Sequence, residues 1–466
     1  MRPGFSINIG LSWYVATPPN PSGNDWKYPH AFNFQTGKVL YAALKQIRPQ
    51  IFPTDWTNFS PRLGMAWQPK FWSGTVIRAG AGVYYPSLRA LYELFGITAP
   101  GVAIVQSLAN SPYNPTATYL LGRNVFPPIS QVPITESFAN NVKGTVFALD
   151  QGLRTTYSPQ WNFNIQHSFR GNILAELSYI GSQSRKLPVR WNVDDCSTPG
   201  SLACNTAAIP WPQYSYVYFA ANAGSASYNA LNAKFQRQFS GGFNLLANYT
   251  WSKAISNTQQ GGANTPLNQM GSCLDCDRGM AGFNVPQRLT VATVWELPVG
   301  RGKRLLKDVS PLWNHVGGGW AADVIGTVSS GNPFTVNAPN NTAAPLTNFR
   351  ANRLCDGRAG LKDTNLRTNG LYWLDTACFA APAAGFFGNS GANIITGPGV
   401  NNWDVAIEKN VQLREALRLQ FRTEFFNGWN HAHFKNPDST VGDANFGQVI
   451  QARDAREIQF GLKVLW

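Results

Sequence analysis

The chain has 466 residues and a formal net charge of +14, with only 13% charged residues, 13% aromatics, 43 Gly and 31 Pro. No run of about 18 apolar residues occurs, which excludes a membrane-crossing helix; few charges without such a run suit a membrane β-barrel, in which only alternate residues are apolar. The basic residues are scattered, the densest group being Arg301, Lys303, Arg304 and Lys307, so nucleic acid, which calls for clustered cations, is not an expected partner.

Alternating segments recur along the chain, and each is read as a strand with one apolar face. Phe5–Ala16 is the clearest, with Phe5, Ile7, Ile9, Leu11, Trp13 and Val15 on one side. Arg62–Gln68 and Thr75–Tyr85 follow, then Tyr157–Phe169 and Ile173–Gly181. Next come Tyr228–Phe239 and Phe243–Ser252, then Gln287–Leu297 and Gly319–Ser329. Asn402–Lys409, Ala416–Phe426 and Arg456–Trp466 complete twelve strands. A short helix is expected near Ser87–Phe95, in a long loop.

The connections between these strands alternate long and short without exception. Outer-membrane barrels have long extracellular loops and short periplasmic turns. The fold expected is therefore all-β, an antiparallel transmembrane β-barrel portion of about 12–14 strands, part of a larger barrel. The polar partners of the apolar residues face the lumen. Arg78, Lys234, Arg288, Arg418, Arg422 and Lys463 fall there, which predicts a basic interior and a preference for anionic or polar cargo. The final strand turns Ile458, Phe460, Leu462, Val464 and Trp466 to one side and ends on an aromatic residue. Outer-membrane lipid is the partner this face implies.

Six cysteines, Cys196, Cys204, Cys273, Cys276, Cys355 and Cys378, lie two apiece in three long loops. An even count in exported loops suggests local disulfides, Cys196–Cys204, Cys273–Cys276 and Cys355–Cys378. The rival reading of Cys273-Leu-Asp-Cys276 is half a zinc site or a redox pair; it lacks a second such pair and a thioredoxin-like context. Phosphate-loop, dinucleotide, GxSxG and HExxH motifs do not occur. The one close histidine pair is His431-Ala-His433, and Asp194, Asp195 and Asp363 are read as solvated loop acids. No enzyme activity, catalytic residue, cofactor or metal is expected.

Several stretches together resemble one family. NFSPRLGMAWQP (Asn58–Pro69) with TVIRAGAGVYY (Thr75–Tyr85), YSPQWNFNIQHSF (Tyr157–Phe169) and SYNALNAKFQRQFSGGFNLLANYTWSKAISN (Ser227–Asn257) resemble the barrel of Oar-like TonB-dependent outer-membrane transporters. LQFRTEFFNGWNHAHFKNP (Leu419–Pro437) is the most specific match. The resemblance implies a transporter barrel in the outer membrane of a Gram-negative-type bacterium, moving a large or polar ligand. It also implies a signal peptide, a small N-terminal β domain, a plug and further barrel strands. None is read in residues 1–466, which form one barrel domain, so TonB-type coupling would run through a plug this chain lacks. The last strand resembles the terminal signal recognised by the barrel-assembly machinery. The alternative to transport is a surface adhesin or scaffold barrel with disulfide-tied loops.

Overall fold

A computed structural model describes residues 4–18, 29–50, 52–86, 133–258, 269–342, 349–358, 371–414 and 417–466. The helix expected near Ser87–Phe95 and Asp363 lie outside these residues. Twelve strands form one continuous antiparallel wall: β1 (Phe5–Ala16), β2 (Asp55–Trp67), β3 (Thr75–Tyr84), β4 (Ser158–Phe169), β5 (Ile173–Asn192), β6 (Tyr214–Ser240), β7 (Phe243–Ser256), β8 (Gln287–Glu296), β9 (Trp320–Ser329), β10 (Val400–Arg414), β11 (Leu417–Phe426) and β12 (Glu457–Leu465). Each pairs with the next in sequence. Two further strands, Gly144–Leu149 and Gly279–Met280, join this sheet at its loop end. Among the described residues β1 and β12 are its edges and do not pair with each other.

The register follows from the alternation. Ile77, Ile165, Leu177, Ala233, Tyr249, Leu289 and Val328 form one apolar row across seven strands. A one-residue slip anywhere would break that row, because side chains alternate with a period of two. The apolar face is open to its surroundings: Ile9 is 82% exposed and Phe460 68%. In water such a face would be costly; in lipid it needs no cover, provided that backbone groups pair within the sheet.

Short turns close one end of the wall. Gly241 and Gly242 take positive φ and form a two-residue turn between Ser240 and Phe243, the geometry of tight hairpins; between β4 and β5 the turn has three residues, Arg170 to Asn172, with positive φ at Gly171 and Asn172. The connection between β8 and β9 is larger and holds a short helix, α2 (Pro311–Gly317); α1 (Glu136–Asn140) lies in a long loop.

At the other end the loops fold into a crown, and the buried apolar clusters lie in it. One gathers Phe32, Val39, Tyr41, Val146 and Val217; a second gathers Phe334, Val336, Leu374, Phe379 and Ile395. Residues 182–227, expected as loop, are largely strand, because β5 runs on to Asn192 and β6 begins at Tyr214. These extensions pair with each other from Ser182↔Tyr228 to Asn192↔Tyr218. Beyond the membrane they pack against folded loops, so strict alternation is not required of them.

Candidate functional site: the polar face and the loop crown

The inner face is a hydrogen-bonded polar surface. Gln166, Glu176, Lys234, Asn248, Thr290, Thr327 and Asn402 stand side by side across seven strands. Asn164 Nδ2 donates to Glu176 Oε1 at 2.7 Å, and Asn232 Nδ2 to Thr250 Oγ1 at 3.0 Å. Gly80 sits opposite Asn162, whose Oδ1 would lie 3.0 Å from an added Cβ, so the small residue admits the amide.

All six cations assigned to the lumen lie on this face. Arg78 pairs in register with Asn164 and donates to Gln166 Oε1 at 2.8 Å. Lys234 stands opposite Glu176 and Arg288 opposite Thr250. Arg418 faces Gln412, Arg422 faces Glu408, and Lys463 faces Gln420. The expected basic lining is, however, a mixed one. Glu176, Glu296, Asp323, Asp404, Glu408 and Glu424 share the face, and adding Arg62 and Glu457 leaves the two signs equal. Arg422 donates to Asp323 Oδ2 at 3.0 Å, to Glu424 Oε1 at 2.8 Å and to Glu408. The same alternation that placed the cations also places these acids, so the signal for them was in the sequence.

The crown is tied covalently by three disulfides, Cys196–Cys204, Cys273–Cys276 and Cys355–Cys378. Its loops also interlock. The Arg350 guanidinium makes a buried ion pair with Asp277. Gln269 completes the joint: its Oε1 accepts from Arg350 N at 2.8 Å, and its Nε2 donates to Gly388 O at 2.9 Å. Burial lowers the Arg350 pKa to about 10, so it remains a cation at neutral pH.

Asp194 and Asp195, expected to be solvated, are buried. Asp194 Oδ1 accepts from Trp211 N at 2.8 Å. Asp195 takes Gly271 N on Oδ2 at 2.8 Å and Ser197 Oγ on Oδ1 at 2.7 Å. Burial pushes the Asp194 carboxyl up to about 6 against the Trp211 hydrogen bond, and the neighbouring Asp195 adds to the rise. Asp195 is raised by burial in the same way. Trp211 lies 17 residues from Asp194 and Gly271 76 from Asp195, which is why local polarity misled.

The closing strand presents Ile458, Phe460, Leu462, Val464 and Trp466 outward, each at least 48% exposed. Phe460 lies over Phe421, with ring centroids 6.3 Å apart. His431 and His433 have ring centroids 5.5 Å apart; among the described residues no third ligating side chain groups with them.

One apolar face open to its surroundings, one polar face and a folded loop end define a transmembrane β-barrel wall. The chain belongs to the outer membrane beta barrel domain family, whose profile matches residues 1–459, and it is a protein of the bacterial outer membrane. This is in keeping with the resemblance carried by its motifs. No curated protein matches the chain. Similar solved structures include the outer membrane transporter YddB from Escherichia coli, at a TM-score of 0.47 and 11% identity over 87% of this chain and 40% of that one. The FrpB iron transporter from Neisseria meningitidis (F5-1 variant) gives 0.41 and 10%, over 98% and 43%. The siderophore receptor PiuA from Acinetobacter baumannii gives 0.38 and 10%, over 88% and 36%. The chain thus spans well under half the length of these proteins.

Proposed function

We propose that residues 1–466 form part of the wall of a TonB-dependent-type transporter, which moves a large or polar ligand through the outer membrane. The observation that carries this reading is the polar row from Gln166 to Asn402. A purely structural membrane sheet has no use for hydrogen-bonding side chains across seven strands; a wall around an aqueous or protein-filled lumen does. The balance of acids and cations on that face favours polar cargo without a preference for anions. The interlocked crown would hold the outer mouth in shape. Energy coupling through TonB would require a plug, supplied from outside these residues.

The direct test is the reading frame upstream of the Met1 codon. Transport predicts that the frame continues through a plug domain. A stop codon directly upstream would remove the transport claim and leave a barrel wall without coupling.

A further inference from the structure

The connection between β8 and β9 lies at the end of the wall where the short turns are, yet it carries α2 and the densest cationic group in the chain. We infer that this connection is an interfacial anchor: α2 lies in the inner leaflet of the outer membrane, with Arg301, Arg304 and Lys307 on anionic phospholipid headgroups. The inference rests on the outer-membrane placement and on the short turns being periplasmic, and concerns a surface the transport reading does not use.

Three observations carry it. First, α2 is fixed against the lipid-facing side of the wall. Trp320 and Lys409 pair in register, in the apolar face of β9 and β10. Trp320 Nε1 donates to Val316 O at 2.9 Å, and Lys409 Nζ donates to Val316 O at 3.0 Å and to Gly318 O. The Lys409 ammonium also lies 5.1 Å from the centre of the Trp320 ring. The C-terminal carbonyls of α2 are therefore tied to side chains that project towards lipid, and the helix continues the lipid-facing surface. Gly300 and Gly318 permit this: a Cβ on Gly300 would meet Gly318 Cα at 2.8 Å.

Second, the free face of α2 is apolar and open. Leu312 is 76% exposed, Trp313 68% and Val316 62%; Leu305 and Leu306, in the same connection, are also exposed. Ser310 Oγ caps the helix by accepting from Trp313 N, and Pro311 opens it. A Trp beside aliphatic residues is the composition that settles at the headgroup boundary.

Third, the charge is complementary to one kind of surface. Lys303 reaches Glu296 at 3.7 Å, with both side chains about half exposed. Among the described residues Arg301, Arg304 and Lys307 have no ion-pair partner. Apolar insertion combined with a polybasic segment is the two-signal arrangement that anionic lipid recognises.

The test uses the full chain, folded into nanodiscs of phosphatidylcholine with or without phosphatidylglycerol. The native cysteines stay in their disulfides, and L312C is labelled with a membrane-impermeant maleimide. Labelling several-fold slower in the anionic discs is the expected result, while A384C in the crown labels equally in both. Changing Arg301, Arg304 and Lys307 to Gln together removes the difference. Equal labelling of L312C in the two lipids overturns the inference, as does protection that appears only when a periplasmic protein is added. If the triple variant fails to fold, the two-lipid comparison on L312C alone decides.

Discussion

Arg350 and Asp277, 73 residues apart in the chain, meet in a buried ion pair that joins two extracellular loops. Both side chains are nearly inaccessible, at 7% and 3%. Removing one partner from such a pair strands a buried charge, which costs about 3–5 kcal/mol. Asp277→Ala is therefore expected to loosen the crown by about that amount while leaving the wall intact. Hydrogen exchange on the folded protein checks it: amides around residues 269–280 and 349–353 should lose protection, and those of β7 to β11 should not.

The buried carboxyl of Asp194 makes crown stability depend on pH. Its folded pKa of about 6 lies above the ordinary 3.8. Between those values the folded state binds more protons than the unfolded one, so stability falls as pH rises through that window. Asp195 is shifted in the same direction. Limited proteolysis of the crown should speed up as pH rises through this window, and Asp194→Asn, which keeps an acceptor for Trp211 N, should flatten the dependence.

The wall was legible from sequence because its two faces meet different solvents. Ile9, Leu63 and Phe460 face lipid while Asn8, Gly64 and Gln459 face inward, and that contrast is written residue by residue in β1, β2 and β12. The crown was not legible in the same way. Val217 is buried among Phe32, Val39 and Val146 by packing from three separate segments, and no local period announces it. Asp194 and Asp195 look like loop acids until Trp211 and Gly271 arrive beside them. The cations expected in the lumen share the polar face with acids, and their charge was read without that of Glu408, Asp323 and Glu424, which surround Arg422.

The disulfide Cys355–Cys378 closes a longer stretch than Cys196–Cys204, with sequence separations of 23 and 8, and Cys378 is packed in the cluster of Phe334 and Leu374. By loop entropy its loss should cost about 3 kcal/mol. Replacing both Cys355 and Cys378 by Ser should lower the unfolding temperature of the crown more than the corresponding change at Cys196 and Cys204, as followed by circular dichroism in detergent.

Trp466, 92% exposed, directly follows β12 and is part of the terminal segment proposed as the assembly signal. Deleting it should reduce the amount of folded protein in the outer membrane several-fold, measured by heat-modifiable gel migration of membrane fractions. Unchanged levels would take that role away from the terminal residue.

One face of the wall meets lipid and the other the lumen, and β11 is the strand on which this is tested best. Single spin labels placed in turn from Arg418 to Phe425, in protein folded into bilayers, report collisions with a lipid-soluble and a water-soluble relaxing agent. The account predicts alternation: Leu419, Phe421, Thr423 and Phe425 reached from lipid, and Arg418, Gln420, Arg422 and Glu424 shielded from it. A uniform profile, or one with the two sets exchanged, would contradict the account.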